Sequence, residues 1–505
     1  MLTMLDALGS GLLMLLTPAV LAYLLLGVLI GLLVGVLPGL GGPAALALVL
    51  PFTFGMETAE AFALMLGLVS VVALAGDLTA VLIGVPGEAV SAAMIMDGYP
   101  MTKRGEAGRA LGIMLTACLV GAVFGLLIIL LLIPVIRPLV LRLQSPELFM
   151  LTLLGLSFVA VLSRGSRLKA LIAGGIGLLI ATVGMDPQTG IARFTFGEMG
   201  LWDGIGIVSV AMGLFAIPEL LQLFLNSGSG STRPMEVGGA RRGVLDVVRH
   251  WWLTLRCSAL GAAVGIVPGL GGAAGQWVAY GYAVQTTKDK RRFGKGAVEG
   301  VIGPAAANNS KEGGSLITTI AFGLPGGTMM AILLGGLLIQ GLVPGPAMLD
   351  EQLPLTMSFL WIILFANIVA VAICLPLAGR IAWLTNARAS VLVPVITVFI
   401  YVGAFAEERQ LVDVWLMLIF GAIGIVMVSC NWPRPPLILG LVLGDLAERY
   451  LFRSVAGDDW NWVTRPSVIV IAVVIAFVVL SGTTGFGRVI SRRVRRAGPV
   501  KVGGE

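Results

Sequence analysis

The sequence predicts an all-α polytopic membrane protein of about 12 transmembrane helices. It also predicts two internally repeated halves, each with a Gly/Pro-broken or re-entrant hairpin helix. Three observations carry this. The 505 residues are 57% hydrophobic and 12% charged, with a mean hydropathy of +0.99, whereas soluble domains carry about 25% charged residues. Apolar runs near the length of about 20 residues that spans a bilayer recur throughout, and the short alternating pattern of an outer-membrane barrel is absent. Finally, the segment from Gly35 to Ala45 (Gly-Val-Leu-Pro-Gly-Leu-Gly-Gly-Pro-Ala-Ala) returns from Gly265 to Gly275 as Gly-Ile-Val-Pro-Gly-Leu-Gly-Gly-Ala-Ala-Gly.

Each copy lies inside an apolar run. Pro38 and Pro268 remove a backbone donor and clash with the preceding turn, and the glycines let the chain leave helical geometry. Irregular backbone at membrane depth is tolerated only where it is buried in protein or lines a cavity. Runs from Leu12 to Leu37 and from Ala59 to Ala75 flank the first break. A second interrupted stretch follows from Gly76 to Glu88, then a basic loop from Asp97 to Arg109. Helices are expected over Ala110 to Ile136, Glu147 to Leu162, Ala170 to Gly184 and Gly204 to Leu225.

The segment from Asn226 to Arg249 is polar, opens with alternating Ser and Gly, and supplies Arg233, Arg241, Arg242 and Arg249. That places it in the cytoplasm as a flexible linker. The second half repeats the plan. Ser315 to Gly327 matches Gly76 to Glu88 at the Thr and Gly-x-Pro-Gly positions, and Gln340 to Pro344 loosely echoes Asp97 to Pro100. The expected organisation is a first membrane repeat (1–225), a cytoplasmic linker (226–252), a second repeat (253–481) and a basic cytoplasmic tail (482–505). Basic residues before Trp252 and again from Lys288 to Lys295 flank the second break. A re-entrant hairpin with its tip at Pro268 to Gly272 keeps both inside, whereas a single crossing would separate them.

Helices that restart after a break expose N–H groups and the positive pole of the helix dipole, which suits carboxylates. Gly39, Gly41, Gly42, Gly269, Gly271 and Gly272 are therefore candidates for substrate approach, against close helix packing as the plainer role of glycine. The segment from Glu299 to Ser315 is the richest in polar groups, with Asn308, Asn309, Ser310, Lys311 and Glu312 ahead of a half-helix carrying Thr318 and Thr319. Amides can donate to a carboxylate or ligate a cation. Asp77 lies within apolar sequence, where a carboxylate is costly and marks function. It could hold a coupling ion with Thr79 and Ser310, or cap the half-helix that begins near Thr79. Glu88 reads as a solvated turn residue. Cys118, Cys257, Cys374 and Cys430 are isolated and have no metal-ligand spacing, and His250 is the sole histidine, so no metal centre or cofactor is expected beyond a coupling Na⁺ or H⁺.

The paired Gly-x-x-Pro-Gly-Leu-Gly-Gly elements carry a resemblance. So do Gly84-x-Pro86-Gly87, Asp97-Gly98-Tyr99-Pro100, Glu299-Gly300-Val301, Asn308-Asn309 and Gly323-Leu324-Pro325-Gly326. Through them the chain resembles the large membrane subunit, the permease, of the bacterial tripartite tricarboxylate transporter family. The resemblance implies a multi-pass inner (plasma) membrane protein whose partners are a small four-helix membrane subunit and a periplasmic solute-binding protein. It also implies secondary active, ion-gradient-driven uptake of an organic tri- or dicarboxylate; no Walker-type ATP motif is present. Asp77 and the Lys311–Glu312 pair depart from the family's pattern. The alternatives within reach of the sequence are a carboxylate permease or exchanger that needs no binding protein, and an intramembrane enzyme. The sparse intramembrane acids and the lone His argue against the enzyme. Nucleic acid is not an expected partner, because the +6 charge falls in short loops and the tail.

Overall fold

The computed structural model describes residues 4–37, 41–88, 91–162, 166–186, 188–225, 239–268, 274–384, 389–408 and 410–483. Helices α1 Met4–Leu15, α2 Pro18–Val36, α3 Gly42–Val49 and α4 Thr58–Ile83 open the chain, followed by short α5 Ala92–Ile95 and α6 Gly98–Lys103. Helices α7 Ala107–Val140, α8 Ser145–Leu162 and α9 Arg167–Ile180 lead to an antiparallel hairpin of β1 Gly184–Met185 and β2 Ala192–Arg193. Helices α10 Ile207–Ala211 and α11 Ile217–Leu225 join through a π-helical turn, Met212–Ala216. The remainder is α12 Ala240–Arg249, α13 Trp251–Ile266, α14 Ala274–Thr286, α15 Val298–Phe322, α16 Thr328–Ile339, α17 Pro346–Leu349, α18 Leu353–Leu384, α19 Ala389–Glu408, α20 Leu411–Ser429, α21 Pro435–Asp458 and α22 Pro466–Thr483.

Among the described residues, 6 helices are long and apolar enough to cross a membrane, and shorter apolar helices accompany them. A polytopic α-helical membrane protein is therefore what the chain builds. Two sequence expectations change. The stretch from Gly76 to Ile83 is not a break but the end of α4, which runs unbroken to a left-handed cap at Gly84 (φ 73°). Likewise the polar stretch from Glu299 to Ser315 is the body of α15, which ends on Gly323 (φ 67°). In a medium without water the backbone must bond to itself, and that requirement overrides the polar composition. The polar side chains then find partners on neighbouring helices or on their own preceding turn. The expected linker is also not wholly loop: α12 packs on α7, with Arg109 Nε donating to Asp246 Oδ2 at 2.6 Å. Residues 226–238 and the tail beyond 483 lie outside the described residues.

The two halves share a local plan. α2 runs parallel to α4, Gly27, Gly31 and Gly35 lying against the backbone of Leu64, Leu68 and Val72; α13 runs parallel to α15, Gly261 and Gly265 lying against Ala307 and Lys311. A Cβ at Gly35 or Gly265 would collide with the Val72 or Lys311 carbonyl, so glycine here permits backbone contact. After each break the chain turns back. Gly275 faces Lys311 while Gly303 faces Ala279, so α14 is antiparallel to α15 and forms a hairpin with α13. The last residue before each break has the same geometry: Leu37 at φ −82°, ψ 111° and Val267 at φ −82°, ψ 114°.

The three-helix units α2–α4 and α13–α15 point in opposite directions. The C-terminal end of α4 meets the N-terminal end of α15 through Asp97, whose Oδ1 accepts from Gly296 N and Ala297 N at 2.8 Å each. The basic segments gather at this same end. Arg104 donates to the Gly296 carbonyl, His250 at the start of α13 lies 3.8 Å from Glu299, and Arg292 contacts Glu299 at 2.7 Å. The hairpin expected at the second break thus keeps both basic segments on one face.

Candidate functional site

The first break delivers two backbone donors into the protein. Gly41 N donates to Glu219 Oε2 at 2.8 Å, and Gly42 N donates to Glu88 Oε1 at 2.6 Å. These N–H groups open α3, where no intrahelical acceptor exists. Glu219 enters from α11. Its other oxygen lies 3.7 Å from Arg434 Nη2 just ahead of α21, and the Arg434 guanidinium also donates to the Leu214 carbonyl at 2.9 Å and stacks on Phe215 at 4.9 Å. Glu88 is therefore not a solvated turn residue; it docks on the break. Neither Glu219 nor Arg434 emerged from the sequence reading. An acid following Pro218 in an apolar span was the available sign for the first. For Arg434, set among Pro433, Pro435 and Pro436, there was no periodicity to read.

From the second break, Gly269, Gly271 and Gly272 lie outside the described residues, as does Gly39 from the first. The helix that follows is described, and its Gln276 is wholly buried. Gln276 Nε2 donates to both Asp77 oxygens, at 2.9 and 3.1 Å, and Asn308 Nδ2 donates to Asp77 Oδ2 at 2.7 Å. Asp77 is in mid-helix and fully buried, so it caps nothing. Lys311, 3% exposed, lies 3.7 Å from Glu312 and close enough to Asp77 and Glu88 to interact electrostatically. Glu88 in turn feels Glu219 and Glu312. A largely buried track of ionisable groups therefore runs from Arg434 and Glu219 at the first break, through Glu88, Glu312 and Lys311, to Asp77 beside Gln276 of α14. Intramembrane acids are denser than the sequence suggested.

The other expected residues diverge. Asn309, about 100° round the helix from Asn308, bonds to Asn367 of α18. Thr79 Oγ1 donates to the Gly76 carbonyl at 2.9 Å, Thr318 Oγ1 to Ser315 O at 3.1 Å, and Thr319 Oγ1 to Ser315 O at 2.7 Å. Ser310 bonds to its own helix at Ala307 O, 3.4 Å, and faces Gly261. The hydroxyls of Thr79, Thr318 and Thr319 are spent on helix carbonyls, and so is that of Ser310. Asp97, outside the spans, also accepts from Tyr280 OH at 3.0 Å, and burial raises its carboxyl above the ordinary value, partly offset by the N–H donors of Ala297 and Gly296.

A broken helix that turns its backbone donors onto inward-facing carboxylates, within a bundle of spans, defines a multi-pass membrane protein with an internal polar site. The chain belongs to the tripartite tricarboxylate transporter TctA family, whose model matches residues 21–439. It is thus a member of a transporter family, of the kind that forms the large component of tripartite systems. It is 34% identical over 496 residues to an uncharacterized 52.8 kDa protein in the TAR-I ttuC′ 3′ region of Agrobacterium vitis, covering 95% of this chain and 97% of the relative. A second protein of that organism, in the TAR-II ttuC′ 3′ region, is 31% identical over 209 residues, 41% of this chain and 86% of the relative. No solved structure matches the chain.

Proposed function

We propose that this chain is the permease of a three-component system in the bacterial inner membrane that takes up an organic tri- or dicarboxylate. A periplasmic binding protein delivers the substrate, a small four-helix subunit completes the membrane complex, and an ion gradient drives the process. The observation that carries the reading is the pair of carboxylate oxygens on Gly41 N and Gly42 N. A break tip that already donates to Glu219 and Glu88 has the chemistry to donate to a substrate's carboxylates, once those side chains turn away. Arg434 then supplies a cationic partner beside it. In this reading Gly39, Gly41, Gly42, Gly269, Gly271 and Gly272 form the approach surface. Asn308 and Asn309 serve in the wall with Thr318 and Thr319, and Asp77 carries the coupling ion.

The two oppositely directed units with matching breaks support an internal duplication and a site fixed near mid-bilayer, around which access alternates. The test is uptake of labelled citrate into proteoliposomes containing this chain and its small subunit, under a Na⁺ gradient, with and without the binding protein. Uptake that requires the binding protein is the expected result. Uptake without it would make the chain a self-sufficient permease. Failure with citrate and with a panel of dicarboxylates, under both Na⁺ and H⁺ gradients, would overturn the reading.

A further inference from the structure

Three polar atoms beside Asp77 have no hydrogen-bond partner among the described residues: Gln276 Oε1, Asn308 Oδ1 and Ser91 Oγ. Their residues, like Asp77, are 0% exposed. They come from separate segments, Asp77 from α4, Gln276 from α14, Asn308 from α15 and Ser91 from the turn ahead of α5. Ser91 lies near enough to Asp77 to act on its carboxylate, though outside good hydrogen-bond geometry. A buried acceptor left unpaired costs about 1–3 kcal/mol, and native interiors hold few of them. Two amide oxygens and a hydroxyl orphaned around one carboxylate ask for a ligand.

The chemistry of that ligand follows from the donor set. The terminal torsions of Asn and Gln are broad and two-fold, and turning an amide over exchanges its NH₂ for its oxygen at nearly the same place. With both amides turned, the polar atoms nearest the Asp77 carboxylate are all oxygens: its own two, the two amide oxygens and the Ser91 hydroxyl. We propose that these four residues form a binding site for one monovalent alkali cation, Na⁺. One carboxylate among neutral oxygens balances a single positive charge. A divalent ion takes more anionic ligands, and no cluster of three His, Cys, Asp or Glu exists among the described residues. Lys311 nearby, offset by Glu312 and Glu88, adds a further bias against a second charge.

The site replaces Thr79 and Ser310 in the expected ion set with Gln276, Asn308 and Ser91. Its ligands come from both halves of the chain, Asp77 of α4 and Ser91 ahead of α5 on one side and Gln276 of α14 and Asn308 of α15 on the other. A cation there therefore fixes how the units sit against each other. Its role as the coupling ion rests on the transport reading above; its binding does not.

The test is equilibrium binding of radiolabelled Na⁺ to the purified full chain in detergent, with choline keeping ionic strength constant, alongside thermal unfolding. The expected result is a saturable site and a Tm that rises with Na⁺ but not with choline. Asp77→Asn and Gln276→Leu should each weaken binding at least tenfold, while Thr286→Val, exposed at the far end of α14, leaves it within twofold. If Asp77→Asn does not fold, Gln276→Leu and Asn308→Ala carry the same test. Absence of saturable binding, or equal binding in wild type and Gln276→Leu, overturns the proposal. So does stabilisation by acid with no response to Na⁺, which would make Asp77 a proton site. Because the assay needs no substrate, a chain that binds Na⁺ yet transports no carboxylate sinks the transport reading alone.

Discussion

Glu219 is held at one end by the Gly41 N–H and at the other by Arg434, so each partner determines what removing the other does. Losing one member of a fully buried pair costs about 3–5 kcal/mol. Arg434 keeps 21% of its side chain exposed, so Arg434→Ala should cost less than that, about 1–3 kcal/mol, the range for an unsatisfied buried group. Unfolding of the reconstituted variant measures it, and a Tm within 1 °C of wild type, on the order of 0.3 kcal/mol, would show the pair to be irrelevant to stability. At Gly41 a Cβ would approach the Glu219 carboxylate to 3.2 Å. Gly41→Val therefore displaces that carboxylate and blocks the tip; uptake should be abolished with the fold retained, and near-normal uptake would remove Gly41 from the site. These residues differ in how readable they were. Glycine clusters beside proline announce a break at any distance, whereas a Glu in α11 or an Arg ahead of α21 gains meaning only once folding brings it to that break. Gln276 sat in plain view, four residues after Gly272, but an amide acquires a role only when its partner Asp77 is known.

At the scale of elements, the sequence marked where chains break but not how long the intervening helices run. Gly76 and the stretch from Pro304 to Gly314 look like helix breakers, yet both lie within helices because membrane-depth backbone has no other acceptor. The glycines that matter most serve contact between helices instead. Gly35→Ala and Gly265→Ala would drive a methyl into the carbonyls of Val72 and Lys311, while Gly281→Ala meets open space. The first two should lower Tm by several degrees and the third leave it unchanged; equal effects from all three would contradict the packing. Asp97 joins the two units by holding the N-terminal end of α15. Asp97→Ala should cost about 1–2 kcal/mol as a lost cap. Its carboxyl is raised in the folded state by burial, so the folded form takes up a proton at a pH where the unfolded chain has already lost one. Relative to Asp97→Asn, wild-type stability should therefore increase as pH falls through that raised value and decrease as pH rises through it. Parallel pH profiles for the two proteins would mean the carboxyl does not titrate there.

For the whole molecule, the recurring motif leads to the expectation of two repeated halves, but the relative direction of α4 and α15 became clear only from contacts such as Asp97 with Ala297. Opposed units predict a definite sidedness. Lys103 and Lys288 belong to the end where α4 finishes and α15 begins, since Arg104 reaches Gly296 and Arg292 reaches Glu299. Glu57, which precedes α4, shares a cleft with Gln352 at the other end, where Asp350 pairs with Arg137 near the end of α7. The positive-inside rule assigns the first end to the cytoplasm. Of the native thiols, Cys118, Cys257 and Cys374 are buried and Cys430 is exposed, so Cys430→Ser supplies a quiet background. Single cysteines at Lys103 and Lys288 should then resist an impermeant maleimide in right-side-out vesicles and react in inverted ones, with the reverse for Glu57 and Glu351. Lys103 and Lys288 labelled from opposite faces would mean that the second break is a crossing rather than a hairpin. The opposed directions of the two units would then be lost, and with them the geometry on which the proposed alternating access rests.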